Sequence, residues 1–118
     1  MINWQIITKD RIYQDTTWYF PSFLIQEYLL PLINVGFNYI YDYEDTKFEI
    51  EDCQRMKSNI SYLLDCQYYQ RKINISYDSF FDGIVNLDSK EIINCLNELD
   101  KALDFAIANN ASLVFVGD

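Results

Sequence analysis

The strongest constraint on the fold is an amphipathic segment that runs directly into a short apolar one near the end of the 118-residue chain. Over residues 92–107 apolar side chains recur at steps of three and four, which is the helical period. Asp88 and Glu91 have the spacing of a capping box, so this helix should begin beside Asp88. Residues 113–116 are apolar and mostly β-branched or aromatic, which predicts a strand. A helix followed at once by a strand predicts an α+β domain in which a small sheet of short strands is backed by helices.

The first third of the chain predicts a strand followed by a helix. Residues 3–8 alternate partly and should form the first strand. A helix should begin near Phe20, with Pro21 at its first position, where the missing N–H costs nothing. Pro31 should stop or kink this helix close to Leu30.

The middle of the chain adds a third helix and two further strands. Aromatic residues alternate over 36–43, which is a strand period. The next helix should span 50–69, and residues 73–77 should form a short strand after it. With three main helices and a length close to the commonest domain size, residues 1–118 are expected to form one domain.

The composition is acidic and aromatic and excludes several classes of site. There are 18 Asp+Glu against 9 Lys+Arg, a net charge of −9 and no His. This charge argues against binding to nucleic acid or to an anionic membrane and favours a cationic partner. Without His the chain has no Ser-His or Cys-His nucleophile pair and no His-containing zinc site, and three Gly residues form no phosphate-binding loop. We therefore expect a protein that is not an enzyme and holds no metal or cofactor.

Cysteine usage and hydropathy predict a cytoplasmic location. Cys53, Cys66 and Cys95 include no C-x-x-C pair, which indicates reduced and mostly buried thiols. The amino-terminal residues show no signal-peptide pattern. The most hydrophobic window, residues 18–33, is interrupted by polar residues and prolines and is too short to span a bilayer.

The acidic residues concentrate in one aromatic segment. Between residues 39 and 52 there are six carboxylates and a single basic residue, Lys47. Glu49, Glu51 and Asp52 complement the positive end of the helix that starts there. The other three, Asp42, Glu44 and Asp45, do not lie at a helix start. The tyrosines beside them offer large contact areas to a protein partner, and the carboxylates pair with Arg or Lys side chains. The predicted partner-binding residues here are Tyr39, Tyr41, Asp42, Tyr43, Glu44 and Asp45. The alternative is that the tyrosines form the buried side of a strand.

A second acidic patch lies further along the chain. Asp78 and Asp82 frame the pair Phe80-Phe81 in a predicted loop. Two adjacent Phe residues do not both point inward from a strand, although a loop that folds over the core can bury both. Asp78 and Asp82 are therefore predicted as a second contact with the partner.

The end of the chain resembles a known class of protein. Residues 98–106, ELDKALDFA, form an amphipathic helical segment, and residues 112–118, SLVFVGD, follow as a short apolar strand. This ending, which lies within the last third of the chain, looks like the close of several immunity proteins of bacterial toxin systems, particularly those of contact-dependent growth inhibition. The size, the acidity and the absence of catalytic machinery are similar too. The resemblance implies a cytoplasmic protein that binds and neutralises a cognate toxin, often a nuclease.

The expected partner is thus a basic toxin protein with a nuclease domain. The active site of a nuclease is lined with Lys and Arg. Carboxylates and aromatic rings of an inhibitor can occupy this cleft in place of the substrate. Two alternatives stay open. One is an inhibitor that mimics DNA, with carboxylates at phosphate-like spacing. The other is a small enzyme that uses paired carboxylates, such as Asp42 with Glu44 or Glu49 with Asp52.

Overall fold

The computed structural model describes residues 1–8, 11–12, 18–34, 40 and 43–117. The elements in chain order are β1 (Asn3–Thr8), β2 (Arg11–Ile12), β3 (Trp18–Tyr19), α1 (Phe23–Ile33), β4 (Thr46–Phe48), α2 (Ile50–Asp65), α3 (Gln67–Arg71), β5 (Asn74–Ser79), β6 (Gly83–Asp88), α4 (Ser89–Ala108) and β7 (Ser112–Val116). Within these described residues, three main helices and the one-turn α3 pack on antiparallel sheets of short strands. The predicted α+β class is confirmed.

The larger sheet is built around the carboxyl-terminal strand. β7 lies between β1 and β4 and pairs antiparallel with both, while β2 and β3 pair with the outer edge of β1. Phe115 stands opposite Trp4 on one side and Thr46 on the other. Because β7 is central, Leu113, Val114 and Phe115 are all buried, as continuous apolar runs in central strands usually are.

The helices cover this sheet and close the core. α2 and α4 pack along each other and against β7. Their inner stripes recur at helical spacing and are buried, with Cys53, Met56 and Ile60 on α2 and Leu96 and Leu99 among those on α4. Each fully buried aliphatic side chain of this kind contributes roughly 1.5–3 kcal/mol to folding. The predicted start of α4 is confirmed, because the Asp88 carboxylate accepts the Lys90 backbone N–H at 2.8 Å.

Helix α1 differs from the prediction at both ends. It begins at Phe23, with Ser22 as the N-cap whose Oγ accepts the Ile25 N–H at 3.2 Å, so Pro21 lies before the helix. It also continues through Pro31 to Ile33. The proline removes only one hydrogen bond close to the helix end, and the continuation buries Ile33 in the core.

The predicted second helix is two helices. α2 ends at Asp65, Cys66 takes an extended conformation, and α3 follows. The bend allows Tyr69 to be buried with its hydroxyl 2.7 Å from that of Tyr28. The amphipathic period continues across the bend, which is why the sequence pattern did not reveal it.

Two of the later strands were predicted and one was not. β5 covers the predicted strand 73–77 from Asn74 and continues to Ser79, so that Asp78 lies in the strand and not in the predicted loop. β7 covers the predicted strand 113–116 and begins one residue earlier, at Ser112. β6 was not predicted. Most of the predicted strand 36–43 lies outside the described residues; of its positions that are described, Ile40 is buried and Tyr43 lies in a turn. No helix in the described ranges combines the length and apolarity that crossing a bilayer requires.

Candidate protein-binding surface

The first predicted contact segment is described only in part. Tyr39, Tyr41 and Asp42 lie outside the described residues. Tyr43, Glu44 and Asp45 lie directly before β4 and are exposed, with 82% of the Tyr43 surface accessible. We call these three residues the β4 turn.

The β4 turn is attached to the end of β7. The Asp45 carboxylate accepts the backbone N–H of Gly117 at 3.1 Å. A Cβ atom built on Gly117 would lie 2.4 Å from the backbone nitrogen of Glu44 and 2.8 Å from the carbonyl carbon of Tyr43. The two backbones are therefore in close contact, and at least one of the three predicted contact residues, Asp45, stabilises the fold.

Two of the three carboxylates at the start of α2 also have partners within the chain. Glu49 is the N-cap residue of α2, and its carboxylate lies 3.4 Å from the Lys47 ammonium and accepts the Ser112 hydroxyl at 2.9 Å. Asp52 pairs with Arg55 at 3.5 Å. Glu51 and Asp52 lie in the first turn of α2, as predicted for residues that complement the helix dipole.

The second predicted segment forms a β-hairpin. β5 and β6 pair antiparallel, with Ser79 opposite Gly83, so that residues 80–82 make a three-residue loop. Gly83 has φ +68°, the left-handed conformation that closes such a loop and that glycine adopts without strain. The hairpin packs on α1 and α4 and is a sheet of its own.

The outer end of this hairpin is apolar and acidic. Phe80, Phe81 and Ile84 expose 86%, 76% and 77% of their surfaces, and the two rings meet edge to face with centroids 4.9 Å apart. Asp78 stands opposite Ile84 in the strand register, and Asp82 follows the rings in the loop; both are exposed. We call these five residues the hairpin tip.

The hairpin tip is held in place by Glu27 of α1. One carboxylate oxygen of Glu27 accepts the Ser79 hydroxyl at 2.8 Å, and the other accepts the Phe80 backbone N–H at 2.9 Å. The Ser79 oxygen in turn accepts the Asp82 N–H at 3.4 Å. Charge-assisted hydrogen bonds of this kind are about twice as strong as neutral ones, so the loop is ordered before any partner arrives.

The inner face of the hairpin rests on aromatic residues. Tyr77 packs edge to face on Tyr28 with ring centroids 5.3 Å apart. Partial burial raises the pKa of Tyr77, and the nearby Glu27 carboxylate raises it further, because both disfavour the phenolate. The hairpin therefore has a packed inner face and an exposed outer end.

Of the predicted site residues, the structure brings Asp78 and Asp82 together at the hairpin tip and places Tyr43, Glu44 and Asp45 on a separate element. Ile84 and Glu27 were not among the predicted site residues. The Asp82-Gly83 pair between two alternating runs is a strong hairpin signal and would have placed Ile84 beside the rings. Glu27 gave no signal, because it lies 52 residues from Ser79 in sequence.

The described chain contains three free thiols, Cys53, Cys66 and Cys95. Cys53 and Cys95 are buried, as predicted, and burial raises their pKa values to about 11 and about 12, so both are protonated at neutral pH. Among the described residues, no three His, Cys, Asp or Glu side chains are arranged to hold a metal ion.

Comparison with protein-family models, with curated protein sequences and with solved structures gives no match.

Proposed function

We propose that the protein is a cytoplasmic immunity protein that binds a basic cognate toxin, with a nuclease as the expected toxin, and neutralises it. The hairpin tip is the main contact and the β4 turn the second. The observation that carries the proposal is the pair of exposed rings, Phe80 and Phe81, on a loop that Glu27 already orders.

The exposed rings support a protein partner. Phe80, Phe81 and Ile84 are exposed at the outer end of the hairpin, and exposed apolar groups with a polar rim are typical of protein contact surfaces. Aromatic residues carry much of the energy in these interfaces when a partner excludes water from them. Because the loop is ordered beforehand, little conformational entropy remains to be lost on binding.

The charge supports a basic partner. Asp78 and Asp82 flank the rings and form no ion pair with any described residue. An Arg side chain of the partner can pair with either carboxylate and stack on a neighbouring ring. The net charge of −9 adds long-range attraction, which raises the association rate with a cationic protein.

The two alternatives are less well supported. A mimic of DNA presents carboxylates in a phosphate-like array, whereas the outer end of the hairpin presents two phenyl rings and an isoleucine. In the carboxylate pair Glu49 and Asp52, which the enzyme alternative invokes, both side chains interact with groups of the chain itself. Both observations favour a binding protein.

The test uses the protein encoded beside this gene. A toxin domain encoded by the adjacent gene is expressed, and its binding is measured by calorimetry with the wild type and with the F80S/F81S variant. The control variant, Y19S/Y62S, removes two other exposed rings. We expect the wild type to bind and to protect cells that express the toxin, and F80S/F81S to weaken binding by at least about 30-fold, as loss of an interface hot spot does. Urea unfolding should show both variants within about 0.5 kcal/mol of the wild type, because all four rings are exposed.

Two results would count against the proposal, at different levels. If the wild type neither binds nor protects against the product of either neighbouring gene, the immunity function is wrong. If the toxin binds F80S/F81S and Y19S/Y62S equally well, the hairpin tip is not the contact, whatever the function.

A further inference from the structure

A concave surface separate from the hairpin tip lies between the end of α3 and the start of α4. The cleft has a volume of about 580 Å³. This volume lies within the range of small-molecule sites, which is roughly 300–1,000 Å³. We call it the α3–α4 cleft.

The cations of the protein are distributed unevenly with respect to this cleft. The structure describes seven Lys and Arg side chains, and four of them form ion pairs with carboxylates: Lys47, Arg55, Lys57 and Lys101. The other three, Arg71, Lys72 and Lys90, form no ion pair with any described residue, and all three line the cleft. The unpaired cations among the described side chains are therefore concentrated in one concavity of a protein whose net charge is −9.

Three like charges around one cleft repel each other, and a bound anion would relieve that repulsion. The Lys72 ammonium lies 5.7 Å from the centroid of the Tyr68 ring, a cation–π contact that holds the charge without neutralising it. The carboxylate in the lining, Asp88, accepts the Lys90 backbone N–H at 2.8 Å as the cap of α4. It has this structural role and pairs with none of the three cations.

The cleft is fixed by hydrogen bonds between its two walls. The backbone N–H of Ser89 donates to the Ile73 carbonyl at 3.1 Å, and the Ser89 hydroxyl donates to the Lys72 carbonyl. The chain that leaves α3 is thereby attached to the first residue of α4. The three cations thus project from a frame that is formed without a ligand.

The remaining lining is partly apolar. Ile73 exposes 84% of its surface, and Ile93 is half-buried. Arg and Lys side chains suit a phosphate, and Arg binds it through two parallel hydrogen bonds. We infer that the α3–α4 cleft binds a small phosphate monoester whose organic part rests on Ile73 and Ile93. This inference does not depend on the proposed function.

The test uses adenosine monophosphate as the probe, with adenosine and inorganic pyrophosphate alongside it. Titrations of the full chain are followed by amide nuclear magnetic resonance. At millimolar concentrations, adenosine monophosphate should give saturable shifts at residues 71–73 and 88–93, and adenosine, which lacks the phosphate, should give none there. Pyrophosphate should compete for the same amides.

Two triple variants separate a site from general electrostatics. R71Q/K72Q/K90Q and K47Q/R55Q/K101Q each remove three positive charges, so both change the net charge equally. We expect the first to weaken binding at least tenfold and the second to leave it within twofold of the wild type. Circular dichroism verifies that both variants are folded. Equal weakening in the two variants would overturn the inference, and so would the absence of saturable shifts with both adenosine monophosphate and pyrophosphate.

Discussion

The β4 turn and the hairpin tip are alike in composition and differ in which residue supplies the carboxylate that fixes their position. Both combine carboxylates with aromatic rings. In the β4 turn the carboxylate of Asp45 itself bonds to the backbone of Gly117, so an acidic side chain of the segment is used by the fold. At the hairpin tip the carboxylate that orders the loop, Glu27, comes from another helix, and the acids of the segment stay available.

The difference shows that acidic composition does not by itself identify a binding surface. What decides is whether the carboxylates of the segment are themselves used in hydrogen bonds that hold the fold together. A carboxylate that accepts such a bond is structural, as Asp45 is with the Gly117 N–H. Where another element supplies the carboxylate, as α1 supplies Glu27, the segment can expose its rings and charges in a fixed geometry.

The substitution Gly→Ala beside each segment, at Gly117 against the β4 turn and at Gly83 in the hairpin, should give the largest contrast. Gly117→Ala places a Cβ among backbone atoms of the β4 turn, the nearest at 2.4 Å, and we expect a loss of about 3 kcal/mol in the free energy of unfolding. The Cβ added by Gly83→Ala meets no atom within 4 Å, and the cost comes only from the positive φ at this position. We therefore expect a loss of about 1 kcal/mol in the free energy of unfolding. Urea unfolding measures both. A larger loss for Gly83→Ala would show that the β4 turn is less tightly attached than the hairpin.

Removing the carboxylate that fixes each segment should give a smaller contrast. Glu27→Ala leaves the Ser79 hydroxyl and the Phe80 N–H without their acceptor, and we expect a loss of about 2 kcal/mol. Asp45→Ala removes one exposed hydrogen bond, to Gly117, and should lose about 0.5 kcal/mol. Faster hydrogen exchange at the Phe80 amide is expected in Glu27→Ala and not in Asp45→Ala. Equal losses and equal exchange would remove the distinction between the segments.

The smallest expected effect concerns alkaline pH. The folded state raises the pKa of Tyr77 above the ordinary value of 10.0, chiefly through burial and then through Glu27. The stabilisation from this phenol is therefore fully present below about pH 10 and is lost as the pH rises through the higher folded pKa. The free energy of unfolding should fall less steeply above pH 10 in Tyr77→Phe than in the wild type. Parallel curves would show that the folded state does not raise the pKa of Tyr77.

Local sequence patterns predicted the elements whose formation depends on residues close together in the chain. The cap at Asp88, the stripe of α4 and the strand at 113–116 follow from local spacing and residue type. The bend at Cys66 and the continuation of α1 past Pro31 depend on burying Tyr69 and Ile33 against distant elements, which no local pattern contains. For the site, Asp78 and Asp82 are exposed, as a partner contact requires, and the contact itself stays a prediction. The contact from Glu27 was not predicted, because it joins residues far apart in sequence.

Hydrogen exchange of the complex with the adjacent-gene toxin tests the central claim most directly. Amide exchange at residues 79–84 and 43–45 is compared between the free protein and the complex. We expect the strongest new protection at residues 79–84, where the partner would cover the loop, and weaker protection at residues 43–45. A complex in which residues 79–84 exchange as fast as in the free protein would contradict the assignment of the hairpin tip as the docking surface.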